Sequence, residues 1–472
     1  MIAVSPFEME IILNIIKKHT PNYDVLAFGS RYKWTNTETS DLDLALIGED
    51  KIGYSVISKI KEDFMESDLP FKVDVIDYNA ISESFKKIID AGNERIYKGK
   101  RERLGLRCKL GDVCDIKHGF AFKGEYFCDT PTEYLLVTPG NFAIGGGFQF
   151  GKPKNYNGPI PKDYMLNEGD LIVTMTDLSK QGDTLGYSAF IPEDNRYLHN
   201  QRIGLVTINS DNVLSEYVYW IMRTRDYQKY IVNHASGSTV KHTAPKTILS
   251  YEIELPDLDT QRTVADTLSS FDDKIANNTA INHNLEQMAR AVWAERFGNR
   301  EPNCKLGDWF PVITGKKDAN VAKGGIYPFF SCSQNILYTD NYSFDANAIL
   351  LAGNGDFNVK VYSGKFEAYQ RTYVLIPNEQ KHLGFLYYAI KHCLSEITSG
   401  FRGSVIRFIT KGSIENFELF MPCDDETFGL FNGFVEQIAH NNAENARLAE
   451  LRDTLLPRLM SGEVFVADLT AK

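Results

Sequence analysis

The residues most able to do chemistry lie near the start of the chain. A Gly29-Ser30 pair follows one predicted strand, Asp41 and Asp43 open the next, and Asp74 lies in a third. Carboxylates at i and i+2 of one strand point to the same face, and a third from a neighbouring strand completes an oxygen ligand set for Mg²⁺. The glycine lets the backbone approach a phosphate, and the serine can donate a hydrogen bond to it.

The elements that must position these residues form a small α/β unit. Helices are predicted over Phe7–Lys18, near Val56–Phe64 and over Ile81–Ala91, and strands over Val25–Phe28, Asp41–Ile47 and Lys72–Asp77. An alternative interpretation is that Asp41 and Asp43 simply border a strand, because aspartate is common at turns.

This layout resembles the minimal nucleotidyltransferases of the DNA polymerase beta superfamily over essentially all of residues 1–98. The resemblance implies that Gly29 and Ser30 hold a nucleoside triphosphate and that Asp41, Asp43 and Asp74 bind Mg²⁺, with Asp74 helping to activate the attacking hydroxyl. Small members of the superfamily often act as antitoxins that adenylylate a partner toxin. The loop over 31–39 lacks the glycine or extra arginine often found there, so both a catalytic and a non-catalytic domain stay open.

The rest of the chain is a duplication. Each copy opens with Lys-Leu-Gly-Asp, contains short β-like runs and a Gln-Arg pair, and closes at a proline followed by a long helical segment. The predicted domains are an N-terminal domain (1–98), a basic linker (99–108), a first globular domain (109–257), a first spacer helix (258–298), a second globular domain (303–423) and a second spacer helix (424–464).

The two long helical segments share a heptad-like pattern. Leu268, Phe271, Ile275, Asn278, Asn282, Leu285 and Val292 follow a 3/4 spacing in the first, and Phe431, Phe434, Ile438, Asn441, Asn445, Leu448 and Leu455 follow it in the second. Such a seam requires a partner helix, and asparagines at core positions fix register at a cost in stability. The pattern predicts an antiparallel coiled-coil pair, each helix on the order of 55 Å long. Ordinary bundle helices are the alternative.

Composition limits the possible functions. A net charge of −11 argues against a DNA-binding protein that acts alone, because phosphate contacts supply much of the affinity. The seven cysteines form no Cys-x-x-Cys pair, which favours reduced thiols without a zinc site. We expect a cytoplasmic protein with no signal peptide and no membrane contact. The duplicated part lacks a P-loop and base-methylation motifs, so it is predicted to bind without catalysing and without a cofactor.

From about Leu104 to Val464 the chain resembles the specificity subunit of type I restriction–modification systems. The resemblance lies in the Lys-Leu-Gly-Asp openings, the closing prolines and the Ile-x-x-Asn-x-x-x-Asn-x-x-Leu helices. It implies two target-recognition domains that each read half of a split site in double-stranded DNA. It also implies that the helices space the half-sites and dock methyltransferase subunits, with a restriction subunit as a further partner.

Candidate DNA contacts follow from residue type, since Gln and Arg suit purine edges. They are Gln201, Arg202, Lys241 and His242 in the first copy and Gln370, Arg371, Arg402 and Arg407 in the second. Surface or fold-stabilising roles are the alternative. We therefore predict an α+β multidomain protein with a small α/β nucleotidyltransferase-like domain, two β-rich recognition domains and two long antiparallel helices. The competing hypothesis makes adenylyl transfer by the N-terminal domain the main activity.

Overall fold

The computed structural model describes residues 2–37, 40–48, 51–97, 99, 105–179, 181–399 and 407–464. Two compact units are present: Met1–Asp112 with Glu252–Leu258, and Val113–Tyr251 with Asp259–Lys472. Among the residues just specified, no helix is long and apolar enough to cross a membrane.

The N-terminal unit has a mixed four-stranded sheet. Its elements are α1 (Pro6–His19), β1 (Asp24–Phe28), β2 (Leu42–Ile47), α2 (Tyr54–Met65), β3 (Val73–Asp77), α3 (Glu83–Asp90), β4 (Asn93–Tyr97) and β5 (Leu106–Lys109). The sheet order is β3-β2-β1-β4, with β2 and β3 parallel and β1 antiparallel to β2 and β4. Ile12, Ile16, Val25, Leu44 and Phe64 belong to one buried core, in which the helices α1 and α2 pack on the strands β1 and β2.

The strand β5 pairs antiparallel with Glu252–Leu255, with Leu106, Arg107 and Lys109 exposed. The last three residues of the predicted 99–108 linker therefore belong to a strand. Ladder hydrogen bonds to Glu252–Leu255 satisfy the backbone groups that face that strand, and the Arg107 side chain lies 4.0 Å from Glu254.

The first globular domain, residues 113–251, is built mainly of short strands. Its elements are β6 (Cys114–His118), β7 (Phe127–Cys128), β8 (Tyr134–Leu136), β9 (Asn155–Tyr156), β10 (Met165–Leu166), β11 (Leu171–Thr174), β12 (Thr176–Asp177), β13 (Ser188–Phe190), β14 (Tyr197–Leu198), β15 (Ile203–Ile208), α4 (Ser215–Ile221), α5 (Arg225–Asn233), β16 (Lys241–His242) and α6 (Pro245–Leu249). The strand β17 (Glu252–Leu255) and the long helix α7 (Leu258–Phe297) follow it.

The second globular domain precedes the other long helix. Its elements are β18 (Cys304–Lys305), β19 (Val312–Thr314), β20 (Tyr327–Phe330), β21 (Leu337–Thr339), β22 (Phe344–Ala352), β23 (Val359–Ala368), β24 (Thr372–Leu375), α8 (Leu383–His392), α9 (Leu394–Ser399), α10 (Lys411–Glu415) and β25 (Glu418–Leu419), followed by α11 (Asp425–Met460). Its main sheet has the order β19-β24-β22-β23-β20-β21.

The two globular domains share a four-stranded antiparallel core. The order β13-β11-β15-β6 in the first corresponds to β23-β22-β24-β19 in the second. The same glycine follows the edge strand in both: a Cβ on Gly119 would lie 2.1 Å from the Asn200 carbonyl oxygen, and one on Gly315 would lie 2.1 Å from that of Tyr369. The duplication in the sequence is therefore a duplication of topology.

The helices α7 and α11 form an antiparallel pair, which we call the helical spacer. The Asn278 side-chain amide donates to Asn445 Oδ1 at 2.9 Å, and that of Asn441 donates to Asn282 Oδ1 at 2.8 Å. Asn278 and Asn441 are buried. Because the two bonds connect equivalent residues in opposite directions, the pair has internal pseudo-twofold symmetry. The predicted fold class is confirmed, whereas the exact domain boundaries stay a prediction.

Candidate functional sites

The first candidate site lies at the ends of β1, β2 and β3. Asp43 and Asp74 are register partners across the parallel pair β2–β3, and Phe28 opposes Asp43 from β1. The chain then turns at Gly29, whose φ is +79°, and a Cβ there would lie 2.1 Å from Asp43 Oδ2. Only glycine lets the Asp43 carboxylate lie against this backbone. The fold thus brings Gly29, Asp43 and Asp74 together, while Asp41 is exposed just before β2.

The charges at this site are unbalanced. Burial raises the pKa of Asp43 above its usual value, and the neighbouring Asp74 and Asp41 raise it further. The exposed Asp74 pairs with Lys61, whose Nζ lies 2.9 Å from Oδ1. A bound cation would relieve this repulsion. However, no three acidic, His or Cys side chains in the described ranges converge as a metal ligand set.

The loop after Gly29 folds back on the site. The backbone N–H of Lys33 donates to the Gly29 carbonyl at 3.2 Å, and that of Thr35 donates to the Ser30 carbonyl at 3.1 Å. Between them Trp34 has a φ of +56° and a 67% exposed side chain. A left-handed backbone costs a non-glycine residue about 1–2 kcal/mol. Trp34 therefore adopts a backbone conformation that glycine would adopt without this cost, and the loop has no glycine there.

Sequence reasoning missed Lys61 and Trp34 as neighbours of the site. Nothing in the residue spacing of α2 distinguishes Lys61. The left-handed conformation of Trp34 could have been suspected, because the loop lacks the glycine often found there. Arg31, next to the Gly-Ser pair, is structural: its guanidinium donates to the Ser40 and Ala3 carbonyls at 2.9 Å each.

The second candidate site lies in the first globular domain, around one residue between β11 and β12. The Met175 N–H donates to the Arg202 carbonyl at 2.9 Å, and the Met175 carbonyl accepts from Thr243 at 3.0 Å. These bonds place the exposed Gln201-Arg202 turn beside Lys241 and His242. His242 Nδ1 lies 3.1 Å from the Thr176 hydroxyl in the β12–β16 pair. All four residues predicted in this copy therefore lie in one neighbourhood.

An acidic residue missed by the sequence analysis lies opposite Lys241 in that pair. Burial tends to raise the pKa of Asp177, but hydrogen bonds from Ser179 and Thr184 outweigh it and lower the pKa. The Ser179 N–H donates to Asp177 Oδ1 at 2.6 Å, and the Thr184 hydroxyl donates to Oδ2 at 2.8 Å. Asp177 is therefore ionised. Its carboxylate holds the following loop through these hydrogen bonds and partly offsets the local positive charge.

The second globular domain repeats this arrangement. The Gly353 N–H donates to the Arg371 carbonyl at 2.8 Å, the Gly353 carbonyl accepts from Ile409 at 3.0 Å, and the Gly355 N–H donates to the Arg407 carbonyl at 3.0 Å. Exposed Gln370 and Arg371 thereby lie close to exposed Arg407. Arg402 lies outside the described residues. Each copy therefore brings a Gln-Arg turn and a basic residue to equivalent places.

Comparison with known proteins agrees with this organisation. The family model for the type I restriction modification DNA specificity domain matches residues 107–287 and 302–439. The polymerase beta nucleotidyltransferase model matches residues 10–102.

Individual relatives match separate parts of the chain. The EcoDI specificity subunit of Escherichia coli is 38% identical over 168 residues, which span 34% of this chain and 38% of that protein. The MjaIX specificity subunit of Methanocaldococcus jannaschii is 25% identical over 311 residues, 56% of this chain and 72% of that protein. The probable protein adenylyltransferase MntA of Haemophilus influenzae is 44% identical over 82 residues, 17% of this chain and 72% of that protein.

A solved structure shares the fold of the duplicated part. The S subunit of a type I restriction–modification system from M. genitalium aligns with a TM-score of 0.50 at 16% identity, covering 77% of this chain and 98% of that chain. Twin β-rich domains on an antiparallel helical spacer therefore define the architecture of the duplicated part. The chain belongs to the type I restriction–modification DNA specificity family, and its N-terminal residues match the polymerase beta nucleotidyltransferase family.

Proposed function

We propose that the duplicated part reads a bipartite site in double-stranded DNA as the specificity subunit of a type I restriction–modification assembly. One observation carries the proposal: each globular domain has the same four-stranded core and the same cluster of a Gln-Arg turn with a basic residue. Each such cluster would contact one half-site, because side chains reaching base edges distinguish sequences while phosphate contacts only position the domain.

The helical spacer accounts for a site with an unread gap. The paired Asn278–Asn445 and Asn282–Asn441 contacts fix one register between the helices. The two clusters are then held at a fixed separation. A net charge of −11 is compatible with this function if methyltransferase and restriction subunits supply much of the phosphate contact.

Methylation mapping tests the proposal. The chain is expressed together with its methyltransferase partner in a bacterial host, and the methylated positions in the host genome are determined. We expect two short specific sequences separated by a gap of fixed length. A contiguous recognition sequence, or methylation without sequence preference, would contradict the proposal.

Variants assign each half-site to a domain. Replacing Gln201 and Arg202 with Ala should relax only one half-site, and replacing Gln370 and Arg371 with Ala should relax only the other. Losing a bidentate base contact costs about 1–3 kcal/mol, or roughly 5–150-fold in discrimination. If either double variant weakens all DNA equally, the Gln-Arg turns contact phosphates instead.

We further propose that the N-terminal domain is a nucleotidyltransferase. The carrying observation is the close approach of Asp43 to Gly29 opposite Asp74. Gly29 and Ser30 would hold the phosphates of a nucleoside triphosphate, and Asp41, Asp43 and Asp74 would hold Mg²⁺ once Asp74 exchanges Lys61 for the ion. The ion would neutralise phosphate charge. Asp74 would accept the proton of an attacking hydroxyl, which bonds to the α-phosphorus as pyrophosphate leaves.

A double variant separates this activity from DNA recognition. Asp41→Asn with Asp43→Asn should abolish transfer of label from α-labelled ATP to protein while leaving bipartite methylation unchanged. Asp68→Asn, at an exposed carboxylate of the same unit, is the matched control and should keep both activities. If the double variant abolished methylation while the protein stayed folded, the competing view of a transferase-centred protein would be favoured.

A further inference from the structure

A single carboxylate of the spacer binds one arginine of the first globular domain and one arginine of the opposite spacer helix. Asp272 of α7 accepts a hydrogen bond from Arg223, which follows α4, through Oδ2, and one from Arg452 of α11 through Oδ1. The Tyr219 hydroxyl donates to Oδ2 at 3.3 Å. The Arg223 side chain is 2% exposed and that of Arg452 14%. We call Arg223, Asp272 and Arg452 the arginine joint.

Arg223 also holds a loop of the globular domain. Its Nε donates to the Gly145 carbonyl at 2.7 Å, and its guanidinium lies 4.2 Å from the centre of the Trp220 ring. Gly146 has a φ of +87°, and a Cβ there would lie 2.5 Å from Arg223 Cγ. The loop therefore packs its backbone directly on the arginine, which connects it to the spacer.

The other end of the spacer is built differently. There Lys391 and Tyr388 of α8 bind Glu286, which also belongs to α7, and the Tyr388 contact is 3.2 Å. Under the internal symmetry, Val435 and Ala289 take the places of Asp272 and Arg452, and both are buried. The second domain thus forms a part-buried ion pair with α7, from Lys391 to Glu286, whereas it contacts α11 through the more exposed Lys381–Asp425 pair at 3.1 Å and through aromatic contacts such as Tyr388 with Phe431.

We propose that the arginine joint sets the orientation of the first globular domain about the spacer and thereby restricts the gap between half-sites to one length. This inference rests on the proposed DNA-reading function. Adding one base pair to the gap rotates one half-site by roughly 35° about the duplex and moves it about 3.4 Å, since one turn holds about 10–10.5 base pairs. Arg223 of the domain binds a carboxylate of α7 that is also bound by Arg452 of α11, and such charge-assisted hydrogen bonds resist this rotation. Without Arg452 the domain keeps its contact with Asp272 of α7, but Asp272 is no longer bound by α11.

The test uses the full chain assembled with its methyltransferase and a DNA library in which the gap is shortened or lengthened by one base pair. Arg452→Met removes the charge and keeps the length of the side chain. We expect methylation at the altered gaps, relative to the native gap, to rise at least tenfold while both half-site sequences stay the same. Tyr219→Phe, which removes one donor to Asp272, should give a smaller increase.

The matched control is Arg290→Met. Arg290 lies on the same spacer and pairs with Glu286 at 3.4 Å within one helix, and its side chain is 59% exposed. Gap selectivity should not change in this variant, because exposed pairs contribute little. Unchanged selectivity in both folded Arg452→Met and Tyr219→Phe, or equal broadening in Arg290→Met, would overturn the proposal. Absence of bipartite methylation by the unmodified chain would instead refute the DNA-reading function itself.

Discussion

Asp43 in the N-terminal unit and Asp272 in the helical spacer are both partly buried carboxylates with opposite surroundings. Asp43 lies against the Gly29 backbone and opposite another aspartate, and burial together with Asp74 and Asp41 raises its pKa. Asp272 accepts hydrogen bonds from two arginines and a tyrosine. A carboxylate placed beside other carboxylates is typical of a ligand site, whereas one neutralised by arginines is typical of a structural joint.

The same difference extends to the rest of each region. In the spacer, the buried amides of Asn278 and Asn441 have side-chain partners on the opposite helix. At the carboxylate site, Trp34 keeps a left-handed backbone that costs energy. Strain and unbalanced charge are therefore concentrated where we propose chemistry, and satisfied polar contacts where we propose rigid spacing.

The largest expected effect is on the stability of the spacer. Asp272→Asn leaves Arg223, which is 2% exposed, without a counter-charge. Breaking a buried pair on one side costs about 3 kcal/mol or more. Urea unfolding of the full chain should show this decrease in the free energy of unfolding, in the transition in which the duplicated part unfolds. A change below about 1 kcal/mol would mean that Asp272 is solvated like a surface residue, and the contrast with Asp43 would disappear.

A smaller loss is expected from the amide contacts of the spacer. Asn278→Ala removes the donor to Asn445 Oδ1 and to Glu444 Oε2, the latter at 2.6 Å, and should cost about 1–3 kcal/mol. Asn284→Ala, an exposed position on the same helix, is the control and should change stability by less than about 0.5 kcal/mol. Equal effects of the two substitutions would show that the buried amides do not hold the register.

Removing the charge of Asp43 is expected to stabilise the protein, in contrast to the substitutions in the spacer. Its folded pKa lies above the unfolded value of 3.8, so ionisation destabilises the fold and stability is lost as pH rises through this raised pKa. Asp43→Asn should therefore raise the melting temperature of the N-terminal transition at pH 7 without metal, and little at pH 3. Destabilisation by Asp43→Asn at pH 7 would contradict the idea of an unbalanced site.

The smallest effect concerns Lys61, which pairs with the exposed Asp74 at 2.9 Å. If Asp74 is a metal ligand, Lys61 competes with the ion. An exposed pair is worth at most about 1 kcal/mol, so Lys61→Met should tighten Mg²⁺ binding by at most about fivefold. Calorimetric titration of the full chain measures this change, with Lys59→Met, at an exposed residue of the same helix, as control. Weaker Mg²⁺ binding in Lys61→Met would contradict this competition. It would mean that Lys61 supports the bound ion.

Several features of both regions could be predicted from sequence because they depend on local patterns. The 3/4 spacing of apolar and Asn residues predicts the two long helices, which extend over Leu258–Phe297 and Asp425–Met460. The Lys-Leu-Gly-Asp openings predict equivalent starts, and in both the Asp carboxylate accepts the lysine N–H, at 2.7 Å for Asp112 and 2.8 Å for Asp308. The Gly29, Asp43 and Asp74 constellation likewise follows from residue type and strand order.

Other features depend on contacts between residues far apart in the chain. A single Asp or Arg on a long helix has the pattern of a solvated face, so neither Asp272 nor Arg452 was distinguishable from its neighbours. Lys61 carries no motif, and Gln201 and Lys241 become neighbours through the bonds of Met175 to Arg202 and Thr243.

The sequence by itself determined the modular order, the duplicated architecture and the kinds of side chain at each candidate site, because these follow from short-range spacing and strand alternation. The tertiary structure alone decided which charges are neutralised and which are not. That outcome depends on burial and on partners brought close by folding, and the strength of an electrostatic contact depends on both.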